Sequence, residues 1–261
     1  MNYKHSYLVR IQYLGFRLHG WQKQPNLKTV HFILDKTLKF VFKGIRCKSV
    51  GVGRTDAKVS STDYPFRLFI DEPVDNASFL SSFNKNSPAD IRALSIEEIS
   101  DEEFNIIQSP KIKEYHYYFS TAGKNHPYAA PFLIDFGRLN VEEMKKGAQL
   151  FSGTHYFGLY CTKPSKDTVL MRTIDSCEIV ENNILTANFF PEESFVLKVC
   201  GKGFLRYQIR LMMGALVELG RGNLSLNDIE ESLIEKIDRK DTLANIAPGS
   251  GLHLYNVEFL S

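Results

Sequence analysis

Apolar residues along this chain repeat in two alternating rhythms, short runs of strand-like alternation and longer runs at helical spacing, with short connections between them. That alternation confines the chain to mixed architectures. Ser6 to Tyr13 carries Leu8, Val9, Ile11 and Tyr13 as a strand, and Val30 to Phe42 spaces Ile33, Leu34, Leu38 and Val41 as a helix. Strands are expected at Ile45 to Val52 and Tyr64 to Ile70, joined by Gly53 to Asp63; a short helix over Ala77 to Phe83 and a strand at Ile91 to Ile96 follow. The rest of the chain has related contents: strands at Tyr115 to Ser120, Thr173 to Val180, Ile184 to Phe190, Phe195 to Cys200 and Leu252 to Phe259. Helices are expected at Val141 to Phe151, Phe204 to Leu219 and Leu226 to Ile237. The pattern predicts an α+β fold of two related halves, each a largely antiparallel sheet covered by helices. Ser109-Pro110 interrupts the pattern, so the expected domains are 1–108 and 109–261. No sequence identity supports duplication of the halves; it rests on element order alone.

Composition narrows the class of function more than the function itself. With 261 residues, 43% hydrophobic and 24% charged, the chain is that of an ordinary globular protein. No apolar run is long enough to cross a bilayer, and Met1 to His5 lacks the apolar stretch of a signal peptide, so a cytoplasmic location without membrane partners is expected. Cys47, Cys161, Cys177 and Cys200 are widely spaced and form no zinc-ligand pattern. They read as reduced thiols, mostly buried. The formal net charge is only +2, and the distribution says more than the sum. Lys36, Lys39, Lys43, Arg46 and Lys48 form one cluster, and Lys198, Lys202, Arg206 and Arg210 another. Each reads either as a phosphate-facing patch or as a solvated face.

Gly53-Arg54-Thr55-Asp56 places an arginine and a carboxylate two residues apart in a turn-like stretch. Taken alone, Asp56 fits first an ordinary turn or cap aspartate; the functional option is a nucleophile that needs a neighbouring cation and a rigid backbone. Tyr115-His116-Tyr117-Tyr118-Phe119 is an aromatic strand suited to core packing, or to stacking of a tyrosine on a nucleobase. On the helix expected from Phe204, Arg206 and Arg210 fall one turn apart. Arg210 is either a surface guanidinium or a fixed partner that keeps a carboxylate ionised. Gly214 in mid-helix costs about 1 kcal/mol against alanine, which points to close approach by another element. His31, His126, His155 and His253 lack partners at ligand spacing and read as structural, and Glu97 to Glu103 reads as a solvated connection. No phosphate-binding loop, dinucleotide fingerprint or serine elbow occurs in the sequence.

Over nearly its whole length the chain resembles the tRNA pseudouridine synthase A family, the TruA type. Gly20-Trp21-Gln22-Lys23-Gln24 with Thr29-Val30 is similar to that family's opening segment, and Gly53-Arg54-Thr55-Asp56-Ala57 to its Gly-Arg-Thr-Asp-Ala-Gly-Val-His signature. Tyr115 falls in its Tyr-Arg-Tyr run, and Phe204 to Arg210 in its Phe-Leu-x-x-Met-Val-Arg helix. Leu150 to His155, Arg172-Thr173-Ile174, Ala247-Pro248 and Gly251-Leu252 continue the series in order. The resemblance implies isomerisation of uridine to pseudouridine in the anticodon stem-loop of tRNA, at family positions 38, 39 and 40. It implies two α+β halves around a basic active-site cleft and a homodimer that holds one tRNA across both subunits. Asp56 would be the nucleophile, Arg210 its ion-pair partner and Tyr115 the stacking residue. Arg54 would hold the RNA around the flipped nucleotide, and Lys58, Arg206 and Lys202 are further RNA-binding candidates. The reaction involves no redox or hydrolytic step, so no cofactor and no metal are implied.

Departures from the family pattern mark where this chain differs. Lys58-Val59-Ser60 stands for Gly-Val-His, His116 for the arginine between the tyrosines, and Asn105 with Ile107 for a His-Ala-Arg segment after Phe104. A lysine where the backbone needs positive φ would cost on the order of 1 kcal/mol. The competing reading is an RNA-binding relative with altered catalysis, or a synthase acting at a different RNA site.

Overall fold

The computed structural model describes residues 3–99, 104–234 and 242–260. The chain divides into two compact units, Met1–Lys111 with His253–Ser261, and Ile112–Leu252. Both are α+β, as the alternating rhythms predict.

The first unit contains β1 (His5–Tyr13), α1 (Val30–Val41), β2 (Cys47–Gly51), β3 (Ser60–Ile70), α2 (Asn76–Asn86) and β4 (Ile91–Glu98). β1 runs antiparallel between β3 and β4. Its alternate residues are buried in rows: Val9 lies opposite Phe66 and Ile96, and Ile11 opposite Tyr64 and Ala93. Two capped helices pack on the strands, since helix ends need side-chain acceptors for their free N–H groups. Thr29 Oγ1 accepts from Phe32 N (3.3 Å) at the start of α1, and Asp75 Oδ1 accepts from Ser78 N (2.9 Å) at the start of α2. The buried stripe of α1, Val30, Leu34, Thr37 and Leu38, has helical spacing. Stacking of Phe42 on Phe79 (5.7 Å) joins the two helical segments.

β3 begins at Ser60, earlier than the apolar alternation suggests. Ser60 and Ser61 carry no hydrophobic signal, yet Ser61 pairs with Tyr13 of β1. On its other edge β3 pairs antiparallel with β2 over Phe66 to Ile70. The stretch Glu97 to Glu103 is only partly a connection, because Glu97 and Glu98 end β4; residues 100–103 lie outside the described residues.

The second unit contains β5 (Lys111–Ser120), β6 (Ile134–Asp135), α3 (Val141–Gln149), β7 (Gly153–Tyr156), β8 (Met171–Ile174), β9 (Ser176–Glu181), β10 (Ser194–Gly201), α4 (Gln208–Gly220) and α5 (Leu226–Ser232). β10 is antiparallel to β5 on one side and β9 on the other, and β6 adds parallel to β5. The expected strand Thr173 to Val180 breaks at Asp175: β8 pairs with β7, and β9 with β10. Ile184 to Phe190 is not a strand. The Asn182 side chain accepts from the Ile184 and Leu185 N–H groups (3.3 and 3.1 Å) and donates to Leu185 O (2.8 Å), so it turns the backbone locally. Phe189 and Phe190 then pack on Tyr118, Ala129, Leu133 and Val196.

α4 is buried almost all round. It starts at Gln208 rather than Phe204, because Tyr207 adopts the left-handed region (φ 64°) and Gln208 Oε1 accepts from Leu205 N (2.8 Å). Arg206 therefore precedes the helix and does not share a helical face with Arg210. At Gly214 an added Cβ would lie 2.0 Å from Asn245 O, the close approach that a mid-helix glycine suggests. α5 ends at Ser232, short of Ile237, and residues 235–237 lie outside the described residues.

The last strand, β11 (Leu252–Phe259), pairs parallel with the Ser60-Ser61 end of β3, beyond the stretch that β2 occupies. Ser61 Oγ donates to Leu254 O (2.8 Å), and Arg10 Nη2 donates to Val257 O (3.1 Å). The C-terminal strand thus belongs to the first unit.

Candidate active site

Asp56 sits in a loop between β2 and β3 that is tied down through the carbonyls of Gly53, Thr55 and Asp56 and the Thr55 side chain. Tyr64 Oη donates to Gly53 O (2.5 Å), Trp21 N to Thr55 O (3.1 Å) and Val59 N to Asp56 O (3.2 Å). The Thr55 hydroxyl hydrogen-bonds Tyr13 Oη (2.9 Å) inside the protein, and Gly15 N donates to Ser60 Oγ (2.9 Å). Beneath the loop Trp21 stacks on Tyr64 (4.1 Å) and on His31 (5.1 Å). The opening Gly-Trp motif and the Gly-Arg-Thr-Asp motif are therefore one device, with the first serving as the seat of the second.

Glycines permit this close seating. Gly20 has φ +79°, and a Cβ there would lie 2.5 Å from Thr55 O; at Gly51 it would meet Tyr64 Oη at 2.2 Å and Trp21 Cζ2 at 2.5 Å. Asp56 is half-buried, whereas Arg54 and Lys58 on the same loop are exposed. Lys58 adopts φ 68°. The family signature has glycine at this position, and the lysine carries a backbone cost on the order of 1 kcal/mol. Its N–H donates to Leu18 O (2.9 Å).

In the second unit Arg210 opens α4 and is held from several sides. Its Nε donates to Ala247 O (2.6 Å), while its own carbonyl accepts from Ala247 N (3.1 Å). The Tyr207 ring is approached by two guanidinium groups, with Cζ of Arg206 5.1 Å and Cζ of Arg210 5.0 Å from its centroid. Tyr117 Oη donates to Pro248 O (2.8 Å). Burial pushes the Tyr117 phenol well above its ordinary pKa, against the pull of the nearby Arg210 charge, so it stays a neutral donor. The Ala247-Pro248 motif is thus a backbone dock for both Arg210 and Tyr117.

Tyr115 and Tyr117 share one face of β5, two residues apart. The Tyr115 ring meets Phe204 edge to face at 5.3 Å. The opposite face carries Glu114, His116 and Tyr118: His116 Nε2 faces Glu114 Oε1 (2.6 Å) and its Nδ1 faces Tyr118 Oη (3.0 Å). His116 stands where the family has arginine. Burial holds its pKa below the ordinary histidine value, with Glu114 opposing and Lys198 reinforcing the shift.

Arg54, Asp56 and Lys58 lie on one loop; in the second unit Tyr115 meets Phe204, and Arg210 meets Ala247 and Tyr207. Arg206 and Lys202, in the same unit, are exposed. The supporting roles of Tyr13, Tyr64 and Tyr207 carry no motif in the sequence, and Tyr117, one of the two tyrosines open to base stacking, is instead buried against Pro248. Each is a supporting residue whose partner lies on another segment, except Tyr207, whose only signal is its adjacency to two arginines. The histidines are structural where their bonds are seen: His31 Nε2 pairs with Ser49 Oγ (3.0 Å), His155 Nε2 with Ser152 O (2.9 Å), and His126 Nδ1 accepts from Tyr128 N (3.2 Å). The four cysteines are free thiols; Cys161 and Cys177 are buried, and Cys47 and Cys200 half-buried. Among the described residues no helix is long and apolar enough to cross a membrane.

Residues 148–260 match a family described as tRNA pseudouridine synthase, a class of isomerases. The chain is 31% identical to a tRNA pseudouridine synthase A of Exiguobacterium sibiricum, over 95% of this chain and 94% of that protein. It is 30% identical to tRNA pseudouridine synthase A 2 of Bacillus cereus, over 98% of this chain and 100% of that protein. A tRNA pseudouridine synthase A of Listeria monocytogenes is 28% identical over 97% of this chain. The chain belongs to the tRNA pseudouridine synthase A family, the TruA type, and is an isomerase of that class.

Proposed function

We propose that this enzyme converts uridine to pseudouridine in the anticodon stem-loop of tRNA, at family positions 38, 39 and 40, with Asp56 as nucleophile. The observation that carries the reading is the anchoring of the Asp56 loop, whose carbonyls at Gly53, Thr55 and Asp56 are all engaged while the residue itself is only half-buried. A turn aspartate needs no such seat, and a nucleophile does.

The reaction breaks the N1–C1′ bond, turns the uracil and joins C5 to C1′; the proton leaves C5 and N1 gains one, so atoms and electrons balance without a co-reactant. The base has to leave its stack to be reached. In this reading Tyr115 stacks on the extruded uracil, with Phe204 bracing its ring. Arg210, permanently charged and oriented by Ala247, is the partner that keeps the aspartate ionised. Arg54 holds the RNA around the flipped nucleotide, Lys58, Arg206 and Lys202 supply phosphate contacts, and a homodimer holds one tRNA across both subunits.

The test is to incubate wild type, Asp56→Asn and Arg210→Ala with tRNA transcripts and to map pseudouridine. We expect Asp56→Asn to abolish modification and Arg210→Ala to lose turnover while still binding tRNA. Modification that survives in Asp56→Asn removes it as nucleophile, and unchanged turnover removes Arg210 from the site.

A further inference from the structure

We infer that Phe16 and Lys58 form a nucleotide-binding element of this chain beside the Asp56 loop, taking an unstacked base and its phosphate from the RNA that flanks the target uridine. The inference rests on the reading of that loop as the tRNA site. Phe16 is at the tip of a tight turn in which Leu18 N donates to Gly15 O (2.7 Å). The turn is rigid. Arg17 grips the Asp90 carboxylate with two groups, its Nη2 2.8 Å from Oδ1. Leu14 N donates to Asp90 O (2.9 Å), and Gly15 leaves no room for a Cβ against Val59 O. On this anchored turn the Phe16 ring stays 38% exposed.

Lys58 reaches over that ring, with Nζ 5.7 Å from its centroid. The same residue holds a left-handed backbone that L side chains disfavour. Strain of that kind persists where the surroundings over-determine it, and it concentrates at binding sites. Here Leu18 O, two residues from Phe16, accepts the Lys58 N–H and ties the strained residue to the turn that displays the aromatic ring. An aromatic ring on an anchored turn with an ammonium 5.7 Å from its centroid matches the way single-stranded RNA is held, by stacking on an aromatic side chain with a cation near the backbone.

The experiment uses the full chain and a tRNA transcript. Lys58→Gly relieves the backbone strain, so the melting temperature holds or rises. We expect the tRNA dissociation constant nevertheless to rise several-fold, and the slope of log affinity against log salt to fall by about one. Phe16→Ala weakens binding by roughly fivefold or more, and Phe16→Tyr restores it. Affinities of Lys58→Gly and Phe16→Ala within about twofold of the parent, with the salt slope unchanged, overturn the inference. If Asp56→Asn is inactive under the same conditions, that outcome sinks the Phe16–Lys58 pair alone. Modification that survives in Asp56→Asn sinks the reading on which the pair rests.

Discussion

At the scale of single residues, two non-glycine positions with positive φ, Lys58 and Tyr207, lie close in sequence to Asp56 and Arg210, the residues proposed to act. Each has close neighbours: the Lys58 N–H donates to Leu18 O, and two guanidinium groups lie over the Tyr207 ring. Ionisation offers a second residue-scale lesson. His31 and His116 are both kept below the ordinary histidine pKa of 6.5, chiefly by burial; for His31, Asp35 opposes the shift and Lys23 adds to it. An unfolded chain takes up these protons near pH 6.5, whereas the folded chain resists them until lower pH. Stability therefore falls as pH drops below about 6.5. Denaturant titrations from about pH 7.5 to about pH 5 should show this loss, and His116→Gln should show a shallower one. A variant whose acid limb is as steep as the parent's would rule His116 out as a contributor.

At the scale of elements, the glycines of α4 show steric packing overruling intrinsic preference. Replacing a mid-helix glycine by alanine favours the helix by about 1 kcal/mol. At Gly214 the added methyl would sit 2.0 Å from Asn245 O, so the 245 segment has to move. Overpacking of that kind costs about 1–3 kcal/mol and wins. Gly214→Ala should lower stability by about 2 kcal/mol in urea denaturation. A more stable variant would show that the 245 segment yields freely. Asn245 leads into Ala247, which carries the Arg210 Nε bond, so turnover should fall in the same variant. Element boundaries follow similar logic. The start of α4 at Gln208 was not legible, because Phe204 to Tyr207 continues the helical spacing of apolar residues; the Gln208 side chain and the left-handed Tyr207 end it. Ile184 to Phe190 reads as a strand by its apolar run, yet the Asn182 side chain supplies turn bonds instead of a strand partner.

For the whole molecule, the two ends of the chain meet in one unit. β11 contributes Leu254 and Val257, both buried, and closes the edge of β3 that leads out of the Asp56 loop. Deleting residues 253–261 removes that burial together with the bonds to Ser61 and Arg10. The expected loss is on the order of 5 kcal/mol, with loss of amide-exchange protection at Ser61 and of pseudouridine formation. Unchanged protection at Ser61 would show that β3 holds its register without β11.

What the amino-acid order determined by itself is chemical and local. The collinear motifs carried the family, and the two periodicities carried the α+β class, because both reside in residue types at fixed spacing. Tertiary structure decided how those motifs are supported. Trp21 and Tyr64 become the seat of the Asp56 loop, Ala247 and Pro248 become the dock of Arg210 and Tyr117, and the final strand joins the first unit. These depend on pairings between residues tens to hundreds of positions apart, and no local pattern encodes them. They are selected only when side chains compete for the same buried space and the same backbone donors.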